Sequence, residues 1–185
     1  MGSAIYSIIT PLLSLLFLGM ASGLFNTFVP VRLEMEGNSS ESIGLIASAL
    51  YCGILVGSLR IERWIGRVGH VRSFAVFALT TAIVVMLQSF WVFSWYWGVL
   101  RFLGGICLAG IFVTVESWIL MMATPTTRSS LFSVYEAVLY LALTIGQFLF
   151  KLADPSSIVP FSLTAFLCVA AIIPLFLKRG AGRMA

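Results

Sequence analysis

Apolar residues run along this chain in six long stretches, over residues 5–29, 43–59, 73–92, 96–120, 131–150 and 158–177, and polar residues gather in the gaps. A helix crosses a hydrocarbon core about 30 Å thick with roughly 20 apolar residues, so each stretch predicts a transmembrane helix. The gaps are too short for a soluble domain. The expectation is an all-α membrane protein, with residues 1–185 forming a single six-helix transmembrane bundle. The first stretch is too long for the apolar core of a cleavable signal peptide, about 7–15 residues, and reads as a span. Pro30 is placed to close that helix, since proline interrupts the backbone hydrogen-bond ladder.

Composition agrees. The chain is 60% apolar and 10% charged, with a mean hydropathy of +1.06, whereas a soluble domain is about half apolar and about a quarter charged. Disorder is excluded by the richness in branched and aromatic residues. Three cysteines are too few for a disulfide scaffold. Cys52, Cys107 and Cys168 all lie inside apolar stretches and read as small buried hydrophobes.

The net charge of +4 changes the picture only through where the charges sit. With six spans both termini share one side. Arg60, Arg63, Arg67, Arg72, Arg128, Lys178, Arg179 and Arg183 fall there, eight against Arg32 and Lys151 on the other side. Cytoplasmic loops carry the excess of Lys and Arg, so both termini are expected in the cytoplasm, and no nucleic-acid partner is expected. Phe90, Trp91, Phe93, Trp95, Tyr96 and Trp97 crowd the turn between the third and fourth spans and read as an interfacial aromatic belt.

Small residues mark where helices approach within lipid. Gly53 and Gly57 stand four apart in the second span, with Gly44 and Ser48 four apart further out; Gly104, Gly105 and Gly110 lie in the fourth. Three charged residues fall inside spans, where each is costly and normally faces protein or a wet cavity. Arg101 has no acidic partner at its depth and is expected to bond backbone or Asn26, as structural clamp or binding group. Glu116 and Glu136 lie at similar depths, with Arg128 or Arg67 as natural partners, either as helix-end anchors or in a transport role. A polar stripe of Glu136, Tyr140, Thr144 and Gln147 runs up the fifth span at helical spacing, and Ser22 and Asn26 form a shorter one on the first.

Catalytic chemistry is not apparent. The sole histidine, His70, lies in a basic loop, and the sole aspartate, Asp154, in an opposite connection, so no Ser–His or paired-Asp arrangement forms within the bilayer. No cluster has metal-ligand spacing, and no phosphate-cradling loop is present. Neither enzyme activity, nor a metal, nor a cofactor is expected.

The loop from Gly57 to Arg72 contains Gly66-Arg67-Val68-Gly69-His70-Val71-Arg72, which resembles the signature cytoplasmic loop of the major facilitator superfamily. Arg101-Phe102-Leu103-Gly104-Gly105 resembles that superfamily's Arg-x-x-x-Gly pattern in its fourth helix. Glu116-Ser117-Trp118, Thr127-Arg128 and Gly146-Gln147 resemble a poorly characterised bacterial subfamily. The resemblance implies one half of such a transporter: a 3+3 helix bundle with Asn26, Arg101, Tyr140, Thr144 and Gln147 as cavity candidates. It further implies a conformational charge network drawn from Glu62, Arg67, Arg72, Glu116, Arg128 and Glu136, and a place in the bacterial inner membrane.

Three departures qualify it. Gly66 stands where the loop motif has an aspartate, the Pro-Gly signature of antiporters is missing from the fifth span, and the chain ends after one half. The expectation is a half-size transporter protein that pairs with itself or another six-helix half to move a small, fairly hydrophobic solute by alternating access. The alternative is a transport-inactive structural or assembly subunit of a larger membrane complex; a cut piece of a full-length transporter is the third arrangement.

Overall fold

A computed structural model describes residues 2–176, and their side chains from residue 8 onward. Among these residues seven helices follow one another: α1 (Gly2–Met35), α2 (Ser40–Ser58), α3 (Ile61–Val68), α4 (His70–Gln88), α5 (Ser94–Met122), α6 (Arg128–Phe150) and α7 (Val159–Ala170). Past α7, after a short turn, the chain is helical again to Phe176. Six of these segments, all but α3, are long and apolar enough to cross a membrane. The tail charges Lys178, Arg179 and Arg183 lie outside the described residues.

The closest pairings are α2 on α5 and α1 on α6, with α4 against α5 and α7, and α7 also against α1. Exchanging α1 with α5, α2 with α6 and α4 with α7 returns the same set of pairings. This is the 3+3 arrangement: α1, α2 and α4 form one triplet, and α5, α6 and α7 the other. The main apolar core joins Leu15 and Leu18 of α1, Phe74 of α4, Ile111 and Val115 of α5 and Cys168 of α7. A second, aromatic core of Phe25, Phe28, Trp97 and Phe161 closes the end opposite α3.

Local sequence fixes the turns. Ser39 caps α2 by accepting the Ser42 N–H. Gly37 and Gly69 have φ of +80° and +87°, a left-handed backbone that glycine adopts without penalty, and each makes a sharp joint, α1 to α2 and α3 to α4.

Several expectations are corrected. Pro30 does not close the first helix but lies inside α1. The continuation is held by buried Phe28, Val29 and Leu33 and by Arg32. That guanidinium donates to the carbonyls of Pro155 and Ser156 at 3.0 and 2.6 Å and pairs with Glu36 at 2.7 Å. Trp97 is no belt residue: it is fully buried, and its indole N–H donates to the Trp91 carbonyl at 2.7 Å. Cys52 is exposed, while Cys107 and Cys168 are buried. Gly44 faces open space and Ser48 bonds its own helix, so the outer small pair packs nothing.

Residues 57–72, expected as a basic loop, contain the helix α3. Ile61 and Ile65, four apart, are buried against Ala109, while Glu62, Arg63 and Arg67 face outward. That one-sided spacing marks an interfacial amphipathic helix and was available in the sequence.

Candidate functional site

The only cation buried in the described bundle is Arg101, with 6% of its surface exposed. It reaches from α5 towards α1, where its Nη2 donates to Asn26 Oδ1 at 2.7 Å. Asn26 in turn donates through Nδ2 to Ser22 Oγ at 3.2 Å, one turn earlier. The guanidinium also lies over the Phe25 ring at 5.6 Å, within cation–π range. A charge inside a span is costly, and Asn26 and the Phe25 ring offset part of that cost. Asn26 itself is exposed on α1, so the pair runs from the outer face of the bundle into its interior.

Behind the pair is a cavity of about 30 Å3, lined among others by Ser22, Thr81, Gln88, Arg101, Thr164 and Cys168. Two buried polar atoms on its walls have no hydrogen-bond partner, Arg101 Nε and Gln88 Oε1. One is a donor and the other an acceptor. Thr81 and Thr164 spend their hydroxyls on carbonyls of their own helices. The one buried cation of the described residues is thus fixed at the wall of this cavity.

The remaining cavity candidates are not brought to this pair. Tyr140, Thr144 and Gln147 all lie exposed on α6, Tyr140 with 65% of its surface free. The Thr144 hydroxyl donates back to the Tyr140 carbonyl at 2.8 Å. They share one exposed face of α6, at the helical spacing read from the sequence, and no hydrogen bond links them to Arg101.

The charge network does not form. Among the described residues Arg32–Glu36 is the one ion pair, so Glu62, Arg67, Arg72, Glu116, Arg128 and Glu136 are joined by none. Glu116 and Arg128 border one groove at the α5–α6 turn without meeting, and Glu136 is exposed. What this end does contain is a bond that the sequence reading missed: His70 Nε2 lies 3.1 Å from Ser117 Oγ, tying the start of α4 to α5.

The glycines divide. A methyl on Gly53 would land on the Phe102 carbonyl, one on Gly105 on the Leu50 carbonyl, and one on Gly57 at 3.0 Å from Ile106. Gly110 admits the Phe77 ring. Gly104 touches nothing closer than Val84 at 3.8 Å and is no packing glycine. Gly19, Gly23 and Gly146, which the sequence reading did not count as packing residues, hold α1 against α6.

A family model described as Major Facilitator Superfamily matches residues 12–183. Similar proteins include an uncharacterized MFS-type transporter of Yersinia pestis (strain Pestoides F), 34% identical over 175 residues that cover 91% of this chain and 44% of the relative. One of Enterobacter sp. (strain 638) is 32% identical with the same coverage. Another, YcaD of Escherichia coli O6:K15:H31 (strain 536 / UPEC), is 31% identical over 89% of this chain and 43% of its own length. The chain thus spans less than half the length of the curated relatives it matches.

Proposed function

This chain belongs to the major facilitator superfamily, and from that premise we propose that it is one six-helix half of an alternating-access transporter. It works against a second six-helix half and moves a small, fairly hydrophobic solute between the two. The observation that carries this is the helix pairing, which maps onto itself when the two triplets are exchanged. Alternating access is rocking of such repeat-built bundles about a shared site, and one bundle alone has nothing to rock against. The arginine-rich α3 end faces the cytoplasm of a bacterium, in keeping with the distribution of Lys and Arg.

The preference for a hydrophobic solute rests on how few polar groups the outward faces of α1 and α6 carry along their middle: Asn26 on α1, and Ser133, Glu136, Tyr140, Thr144 and Gln147 on α6. Asn26 is the solute contact in this reading. Arg101 acts through it as a positioning residue, holding the amide carbonyl so that its N–H face is presented. The test begins with the mass of the particle extracted in mild detergent. Two six-helix units, twice the 20.2 kDa of one chain if it pairs with itself, are expected, with solute flux once reconstituted in vesicles. Asn26→Ala then raises KM when flux is compared at equal amounts of folded protein, since the variant also costs Arg101 its acceptor. Purification at fixed ratio within a larger complex, with no flux, would overturn the proposal.

A further inference from the structure

A groove of about 380 Å3 opens sideways at the α3 end, walled by Val56 of α2, Val76 and Phe77 of α4 and Ile106 of α5, with Arg60 and Trp64 on its rim. Val56, Val76 and Trp64 are each close to half exposed, so the groove faces out of the bundle. Its walls are apolar and its rim cationic. Arg60, Arg63, Arg67 and Arg72 stand within one short segment with Glu62 as the only carboxylate, all four arginines are exposed, and none has an ion pair among the described residues. An unneutralised row of guanidinium groups beside a half-buried indole, with a greasy channel running away from both, has the layout of an amphiphile's headgroup and tail.

From this juxtaposition we infer that the α2–α3–α4 groove is a selective site for an anionic diacyl phospholipid of the phosphatidylglycerol type. The guanidinium of Arg60 presents paired N–H donors matched to a phosphodiester. The Trp64 ring on the same rim suits the level of the lipid backbone, where tryptophan is favoured. An acyl chain runs along Val56, Val76 and Phe77. Lipid tails are as apolar as these walls, so the groove supplies shape and little selectivity; discrimination comes from charge at the rim. Phosphatidylcholine also has a phosphodiester, but its own ammonium already neutralises it. Each arginine near an anionic surface favours it by roughly fivefold, so one rim residue has a measurable share. α3 is the element that makes the site: buried Ile61 and Ile65 pin it to α5 and leave its arginines turned to the headgroups.

The experiment uses the full chain in phosphatidylcholine nanodiscs doped with either brominated phosphatidylglycerol or brominated phosphatidylcholine. Trp64 emission is obtained as the difference between the chain and its Trp64→Phe variant. Brominated phosphatidylglycerol is expected to quench Trp64 at a several-fold lower mole fraction than brominated phosphatidylcholine, and Arg60→Gln to raise that fraction about fivefold. Arg60→Lys, which keeps the charge, retains most of the preference. Equal quenching by both lipids in the unaltered chain would mean ordinary annular lipid and overturn the assignment. So would quenching by neither, which would mean that protein covers the groove. A loss of preference in Arg60→Lys as large as in Arg60→Gln would also overturn it, because charge would then not be the selector. The comparison of the two lipids needs no rim variant, so it stands even if Arg60→Gln folds poorly.

Discussion

Two helix crossings carry this bundle, α2 on α5 and α1 on α6, and they are built alike. At the first, Gly53 would meet the Phe102 carbonyl, and Gly105 would meet the carbonyl of Leu50. At the second, Gly23 would meet the Leu143 carbonyl, and Gly146 would meet that of Met20. In each case a glycine lies over the carbonyl three residues before the glycine of the other helix. The two helices thus exchange reciprocal backbone contacts, close enough for Cα–H···O interactions. Lipid offers no hydrophobic drive between helices, so close packing has to supply the association. The same solution used twice, on elements that exchange under the 3+3 symmetry, shows that the two triplets are matched in detail and not only in helix order.

The largest effects come from filling those contacts. Gly53→Ala and Gly146→Ala each place a methyl on a backbone carbonyl that cannot rotate away, so the helices must separate. Overpacking of this kind costs about 1–3 kcal/mol and occasionally more. The two variants are expected to lose folded protein and thermal stability by matching amounts. A mild Gly146→Ala beside a severe Gly53→Ala would break the equivalence of the crossings.

Next in size is the bridge between α1 and α5. Asn26→Leu removes the acceptor of a buried guanidinium whose Nε already lacks a partner; an orphaned buried donor costs about 1–3 kcal/mol, more when charged. Melting of Asn26→Leu against the parent chain measures it. Gln88→Leu removes the unpaired acceptor on the same cavity and is expected to be neutral or stabilising, so the pair of variants separates loss of a bond from loss of polarity.

Gly104→Ala is the control for both crossings. Gly104 neighbours Gly105 in sequence but faces away from α2, with nothing nearer than 3.8 Å. Alanine there is expected to cost nothing and to gain up to about 1 kcal/mol from helix propensity. A loss comparable to Gly53→Ala would mean that α5 is rotated from the position described.

These glycines also show what the sequence could reveal. Gly53 and Gly57 were legible because both stand on one helix at a spacing that is itself a packing signal. Gly146 is alone on α6, and its meaning depends on Gly23, which lies far away in the chain and has no spacing relation to it. The six spans were legible because the bilayer demands length and apolarity locally. Pro30 and Trp97 were misread because their roles depend on tertiary partners: the Pro155 and Ser156 carbonyls that hold Arg32, and the Phe161 ring that packs on Trp97. The Asn26–Arg101 bond was anticipated because an arginine at that depth has few polar groups within reach. The charge-network candidates are joined by no ion pair among the described residues, and their spacing along the chain could not decide that.

The smallest effect tests a feature that only the α1–α6 side possesses. The turn from α6 to α7 holds α1 through Arg32, and within it Asp154 accepts the Ser156 N–H at 2.9 Å and the Ser156 hydroxyl at 2.8 Å. Those bonds, the backbone one foremost, hold its carboxyl below the usual 3.8, with the Arg32 charge acting in the same direction. A carboxyl whose value is lower in the folded turn than in the unfolded chain stabilises the turn at pH above its ordinary value. That contribution fades as the pH falls through the lowered value. Amide exchange across residues 151–158 is therefore expected to be slower in the parent chain than in Asp154→Asn at neutral pH, and the two should converge under acid conditions. Exchange at the Ser39–Ser42 cap of α2, which contains no Asp154 contact, should stay equal in both chains throughout. A difference that persists in acid would show that the asparagine perturbs the turn by shape and not by charge.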